Sequence, residues 1–246
     1  MAETQPWGAQ VRGRLVPFAV EMFGRVGKEG LGFLRKMIFW ADVTVERADL
    51  AVLTLLGPGV ADPAVLAALG VTTLPAESTA VALPGGGFVR RIPSTIPELD
   101  VVVPTSKAAD LRKRLVAAGV RPAGVWAYEA HRVTELRPRL GVDTDERTIP
   151  HEAGWIGGPG VGAVHLEKGC YRGQETVARV HNLGKPPRML VLLHLDGAAD
   201  RPAPGDPLLA AGRPVGRLGT VVDHVDDGLI ALALVKRGLP ADTELT

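Results

Sequence analysis

Hydrophobic residues along this chain come in short runs cut by glycine, proline and aspartate. Runs of this length predict strands and short helices. Val43-Thr44-Val45 and Ala51–Leu56 are rich in Val, Leu and Thr and predict strands, the second ended by Gly57-Pro58-Gly59. Asp62-Pro63 supplies an N-cap and a first-turn proline for a helix over Pro63–Leu69. Thr79–Leu83 and Phe88–Ile92, joined through Gly85-Gly86-Gly87, predict a hairpin. Asp100–Val103 is a further strand. Ser106 then caps a helix over Lys107–Ala118, in which Ala108, Leu111, Leu115 and Val116 share a face and which Gly119 ends. Trp126–Val133 predicts another helix. The order strand, helix, hairpin, strand, helix predicts an α+β fold, with helices on one face of an antiparallel or mixed sheet.

The two ends of the chain read differently. In residues 1–40, Val16–Val26 is compatible with a helix or a strand, Gly27–Gly32 breaks it, and Leu34–Trp40 is apolar. Towards the C-terminus, Arg137–Pro150 and the glycine-rich stretch 157–162 predict loops. Lys185-Pro186-Pro187 predicts a linker. Beyond it, Met189–Leu195, Thr220–Val222 and Leu229–Val235 predict strands, separated by Gly205–Pro207, Gly212, Pro214, Gly216 and Gly219. Short strands between such turns predict a small all-β barrel or sandwich. The expected divisions are residues 1–40, 41–185 and 186–246.

Composition narrows the function classes. A net charge of +1 gives no global attraction to nucleic acid or acidic membranes. No run approaches the roughly 20 apolar residues of a membrane span, and the N-terminus lacks the order of a signal peptide. The expected location is therefore the cytoplasm. A single cysteine excludes an internal disulfide framework and fits a reducing compartment.

That cysteine stands in the most informative segment, Lys168–Glu175, which reads KGCYRGQE. Gly169 and Gly173 bracket Cys170, Tyr171 and Arg172 and permit a tight loop with close approach of a ligand or chain. Lys168 and Arg172 would favour the thiolate. Gln174 and Glu175 add amide and carboxylate hydrogen-bonding groups. The same bracket could equally be a turn around a small buried cysteine, although polar neighbours on both sides oppose burial.

The segment matches the signature K-G-C-[FY]-x-G-Q-E at every position and resembles the YgfZ family, relatives of the aminomethyltransferase (T-protein) of the glycine cleavage system. Arg137–Gly141, Thr148–Gly154, Asn182-Leu183-Gly184 and Leu56-Gly57-Pro58 are similar to family segments, so the likeness runs from about Ala41 to the C-terminus. It implies ferredoxin-like α+β domains around a central hole, then a C-terminal β-barrel. It further implies tetrahydrofolate as cofactor and assembly or repair of iron–sulfur clusters, with iron–sulfur client or assembly proteins as partners. Membrane and direct nucleic-acid partners are not indicated. Cys170 would be the reactive residue, with Lys168, Gly169, Tyr171, Gly173, Gln174 and Glu175 forming the motif around it. Arg132 and Glu135 are the candidates for contact with folate. Residues 1–40 do not match the family's N-terminal strand–helix–strand region, and the position of its folate-facing glutamate is Thr134 here. A folate-dependent one-carbon (aminomethyl) transferase or demethylase is the alternative activity.

The remaining candidates are weaker. The six histidines show no compact ligand spacing. His151 and Glu152 are placed near the motif loop, and His181-Asn182 close enough in sequence to reach Cys170. Asp143, Asp145 and Glu146 read as a solvated acidic loop, and Arg112-Lys113-Arg114 as solvated helix charge. No metal site is expected.

Overall fold

The structure, a computed structural model, describes residues 32, 34–36, 38, 42–158, 162–171, 173–197, 200–240 and 242–246. Val16–Val26, most of segment 1–40, the middle of the glycine-rich stretch and Arg172 lie outside the described residues.

The first sheet contains β1 (Leu50–Leu56), β2 (Ala80–Ala82), β3 (Phe88–Ile92) and β4 (Glu98–Pro104), in the order β1-β4-β3-β2. All its pairings are antiparallel. β4 lies inside the sheet and is buried along nearly its whole length. Its residues alternate: Leu99, Val101 and Val103 enter the core, while Glu98 and Asp100 turn to the other face. Helices α1 (Pro63–Leu69) and α2 (Thr105–Ala117) close that core with Val65, Leu69, Leu111 and Leu115. The expected hairpin and both helices are present.

Three local expectations need correction. Val43-Thr44-Val45 is not a strand; it is largely exposed, with no neighbouring strand to pair with among the described residues. Ser106 does not cap α2, which starts one residue earlier after Pro104 and has no side-chain cap. Its Thr105 hydroxyl instead donates to Asp49 at 2.8 Å. Gly119 does end the helix, at φ +94°, with Val120 N–H returning to the Leu115 carbonyl.

Helix α3 (Val125–Thr134) leads into the second sheet. That sheet holds β5 (Arg188–His194), β6 (Pro207–Ala210), β7 (Arg213–His224) and β8 (Gly228–Lys236), ordered β5-β8-β7-β6. No ladder joins β5 to β6, so the expected barrel is an open antiparallel sheet. β8 faces two cores. Ala231, Ala233 and Val235 pack with Leu208, Val215 and Leu218 on one side. Ile230 and Leu232 pack with Ala130 and Val133 of α3 on the other. α3 therefore ties the second sheet to the rest of the fold.

Of the glycines expected to divide the last third into short strands, Gly205 and Gly212 do stand in turns, but Gly216 and Gly219 lie inside β7, which runs for 12 residues. A Cβ on Gly216 would stand 2.7 Å from the Leu234 carbonyl, and one on Gly219 2.4 Å from Asp143 Oδ1. These glycines admit a close neighbour rather than a turn. A register shift between Leu218 and Val221 marks a bulge at the same place. Among the described residues, no helix is long and apolar enough to cross a membrane.

Candidate functional site

The motif leads directly into helix α4 (Gln174–Leu183), whose N-cap is Gly173. Gly173 has φ +83°, a conformation that glycine adopts without penalty. Gly169 has no such φ, and a Cβ at either position would meet nothing within 4 Å. The bracket therefore shapes the helix start at Gly173 and, among the described residues, makes no close approach. Tyr171 N–H donates to the Gln174 side-chain oxygen at 3.2 Å, which closes the loop onto the first turn of the helix. Lys168 Nζ stands 4.6 Å over the Tyr171 ring, a cation–π contact. Glu175 lies exposed in that first turn, where its charge suits the helix dipole.

Cys170 is exposed, as are Lys168 and Gly169, and Tyr171 and Gln174 are half-buried. Val177 is the only buried side chain of α4. The signature thus stands on an exposed loop that runs into a largely exposed helix.

His181 occupies the last turn of α4, roughly 10 Å along the axis from the first turn at 1.5 Å per residue. Its ring lies 6.1 Å from that of His151. The two histidines therefore stand beside each other at the far end of the helix from the motif loop. Both ring nitrogens of His151 are buried without hydrogen-bond partners among the described residues. Burial, and then the neighbouring His181, hold the His151 imidazole below its usual range. Glu152 does not join this pair; it accepts from Arg188 at 2.8 and 2.9 Å.

Of the acidic residues expected in a solvated loop, Glu146 is exposed, but Asp143 and Asp145 are structural anchors. Asp143 is 1% exposed. It accepts from Arg132 at 2.9 Å, from Arg139 N–H at 2.7 Å and from Thr220 N–H at 2.5 Å. Asp145 accepts from Arg188 at 2.9 Å, and that hydrogen bond above all holds its carboxyl well below the usual range.

Arg132 and Glu135 do not join the motif. Arg132 is 3% exposed. Its guanidinium donates to Glu129 at 2.8 Å, Asp143 at 2.9 Å, Thr220 at 2.7 Å and the Arg137 carbonyl at 2.5 Å. No donor of this group is left facing a cavity. Glu135, just past α3, accepts from the Thr95 hydroxyl and N–H. Thr134 Oγ1 donates to the His131 carbonyl of its own helix at 2.8 Å. Arg132 therefore does not fit contact with tetrahydrofolate, and Glu135 is already engaged elsewhere.

A polar face that the sequence reading missed lies on β4. Asp100 accepts from Arg90 at 2.7 Å and from Thr54 at 2.8 Å. Glu98, 1% exposed, pairs through Oε2 with Arg137 at 2.7 Å and with His131 at 3.3 Å, while its Oε1 has no hydrogen-bond partner among the described residues. Ser94 approaches His131 at 3.2 Å through the same Nε2 that faces Glu98, so the three groups cannot form a Ser–His–carboxylate relay. Burial pushes the nearby Tyr128 phenol up. The signal was present in the sequence: Glu98 and Asp100 alternate with Leu99 and Val101 in a strand flanked by others.

No family model matches the sequence. The fold is similar to that of the glycine cleavage system aminomethyltransferase T from Bartonella henselae, with a TM-score of 0.66 and 22% identity over 86% of this chain and 58% of that one. The architecture is therefore that of the aminomethyltransferase T-proteins. In sequence, the chain is 30% identical over 152 residues to the tRNA-modifying protein YgfZ of Aliivibrio fischeri, covering 58% of this chain and 45% of the relative. It is also 30% identical over 187 residues to an aminomethyltransferase of Synechococcus elongatus, covering 73% of this chain and 46% of the relative. The chain is therefore similar, over part of the length of each, to YgfZ and to aminomethyltransferases of the T-protein kind. It spans less than half the length of these curated relatives.

Proposed function

We propose that this protein is a YgfZ-like, folate-binding factor that acts in assembly or repair of iron–sulfur clusters on client enzymes, with Cys170 as its reactive group. The observation that carries this reading is the exposure of Cys170 in an intact KGCYRGQE segment, on a loop and helix that bury only Val177. A thiol presented in this way is accessible to another protein's cluster or thiols. An iron–sulfur centre takes about four thiolates, so one cysteine per chain supports a shared or transient contact with a client's cluster as substrate.

The motif residues divide this work. Tyr171 and Gln174 hold the loop to the helix, Lys168 caps the Tyr171 ring, and Gly173 sets the left-handed turn that ends the loop. Tetrahydrofolate enters the reading as a bound ligand of the family, and no chemical step runs through it, because Arg132 is fully engaged within the fold. Cys170→Ala should fold as the parent does and fail to restore iron–sulfur enzyme activity in a strain lacking the protein. Full restoration by that variant would overturn the reading.

A second reading, folate-dependent aminomethyl transfer or demethylation, is favoured by the match to an aminomethyltransferase over 73% of the chain. Turnover of an aminomethyl or N-methyl donor with tetrahydrofolate would replace the first reading with this one, particularly if Cys170→Ala retained it.

A further inference from the structure

His151 and His181 form a pair that the rest of the fold does not account for. His151 lies in the turn after Pro150, and His181 in the last turn of α4. They are far apart in sequence, and the fold sets their rings 6.1 Å apart at 32°. Neither ring nitrogen of His151 has a hydrogen-bond partner among the described residues, although both are shielded from solvent. A buried polar atom normally has a partner, and an orphan calls for a bound water, an ion or a chemical role. His181 is exposed, and its ring makes no hydrogen bond or ion pair among the described residues. Other histidines differ: His131 faces Glu98 and Ser94, and His224 is held by Asp227. The neighbouring Glu152 is turned to Arg188. Two imidazoles with free nitrogens thus stand side by side with no charged partner.

A single ion can serve both rings. Zinc–nitrogen bonds are about 2.0–2.1 Å, and a ring nitrogen lies about 1.1 Å from its own ring centre, so two rings on one ion have centres up to about 6.4 Å apart. The observed 6.1 Å lies within that reach. His181, on the exposed side of the pair, can turn about its side-chain bonds to complete the contact. A neutral imidazole offers one bare lone pair, which is what a metal ion takes. Imidazole suits zinc and its first-row neighbours, and the want of a free carboxylate disfavours Mg²⁺ and Ca²⁺. Among the described residues, no third His, Cys, Asp or Glu joins the pair. An ion held there keeps coordination positions for water or for a donor atom of another molecule.

We propose that His151 and His181 together hold a divalent transition-metal ion of the zinc kind, with open coordination positions. The ion joins the turn that carries His151 to the last turn of α4, and so pins the end of the helix opposite the motif loop. The pair could not be found from sequence spacing, because its two ligands come from separate segments that only the fold brings together. The inference uses neither Cys170 nor folate, and it stands or falls apart from the reading above.

The test uses the full chain carrying Cys170→Ala, which removes the one competing thiol. Calorimetric titration with Zn²⁺ should show one saturable site per chain. His151→Gln and His181→Gln should each weaken it roughly tenfold or more, whereas His165→Gln and His194→Gln should leave it unchanged. A roughly hundredfold excess of Mg²⁺ or Ca²⁺ should not compete. His181→Cys puts another zinc ligand at the same place and should keep the site. With Co²⁺ as the probe, His181→Cys should gain the near-ultraviolet thiolate-to-cobalt absorption that its parent lacks. A histidine with a merely structural role would give no such band. Thermal melts without metal check that each variant folds. The absence of a saturable Zn²⁺ site would overturn the proposal. So would undiminished binding in the double variant His151→Gln/His181→Gln, which would assign the ion to other histidines. Co²⁺-treated His181→Cys without the thiolate band would overturn it as well.

Discussion

Asp143 and its partner Arg132 are the clearest case of residues whose roles depend on distant neighbours. Asp143 reaches Arg132 eleven positions away and the Thr220 main chain 77 positions away. Removing the Asp143 carboxylate leaves Arg132 paired with Glu129 but strips the Arg139 and Thr220 N–H groups of their acceptor, and a buried donor left unsatisfied costs about 1–3 kcal/mol. Asp143→Ala should therefore lower the urea unfolding free energy by about that amount, while labelling of Cys170 by a thiol reagent in the native state is unchanged. A loss below about 1 kcal/mol would show that these N–H groups find other acceptors. None of this was legible in the sequence, where Asp143 stands among polar residues and its partners lie far along the chain. Cys170 was legible because its loop is local and its signature contiguous. His151 carries a pH prediction. Its folded pKa is depressed, so the unfolded chain binds a proton first as pH falls below the ordinary value of 6.5. Stability should be fully present above that pH and decline below it. His151→Gln, which cannot charge, should flatten the decline between pH 6.5 and 5 in thermal melts. An unaltered pH profile would count against the burial of that imidazole.

At the scale of elements, the sequence pattern succeeded where one local rule decided the outcome. Helix α1 begins at Pro63 because proline suits a first turn, and the β3 hairpin follows its glycine triplet. The pattern failed for β7, where glycines that usually mark turns serve a packing need. Gly219 lies where α3's anchor Asp143 crosses the strand, so an added methyl collides with a group that cannot move without breaking the pair with Arg132. Gly219→Ala should cost about 1–3 kcal/mol, the usual range for overpacking a filled site. Combined with Asp143→Ala it should cost less than the sum of the two single changes, since both act on one contact. Strict additivity in that double-mutant cycle would separate the glycine from the aspartate. The same dependence on tertiary context explains the barrel. Short strands and turns are common to barrels and open sheets, and whether β5 meets β6 is not written in either strand.

Over the whole molecule, two sheets with separate cores are joined through α3 and the residues just after it, which meet the first sheet where His131 and Arg137 pair with Glu98 and the second through Arg132 and apolar contacts. Leu99, Val101, Leu111 and Leu115 stabilise the first sheet, and Leu218, Ala231, Ala233 and Val235 the second. α3 packs on the second sheet at Ile230 and Leu232, Arg132 binds Thr220 of β7, and Arg188 of β5 binds Asp145 and Glu152, while Arg137 and His131 form the charged link to Glu98 of the first sheet. Each ion pair needs an ionised carboxylate, whereas each core does not, so acid should uncouple the sheets before it melts either one. The sign follows from Asp145. Its folded pKa lies below the ordinary 3.8, so its contribution is present above that value and is lost as pH falls through the folded pKa. Urea unfolding at pH 7 should show one transition reported alike by exchange at β4 and at β8. Near pH 3 the two reports should begin to separate, and further acidification should widen the gap. Arg137→Ala should bring part of that separation to pH 7, because Glu98 of β4, 1% exposed at its side chain, then loses its guanidinium partner. If β4 and β8 unfold together at every pH in both proteins, the apolar contact of α3 with Ile230 and Leu232 suffices to couple the sheets. The ion pairs would then add stability without adding cooperativity.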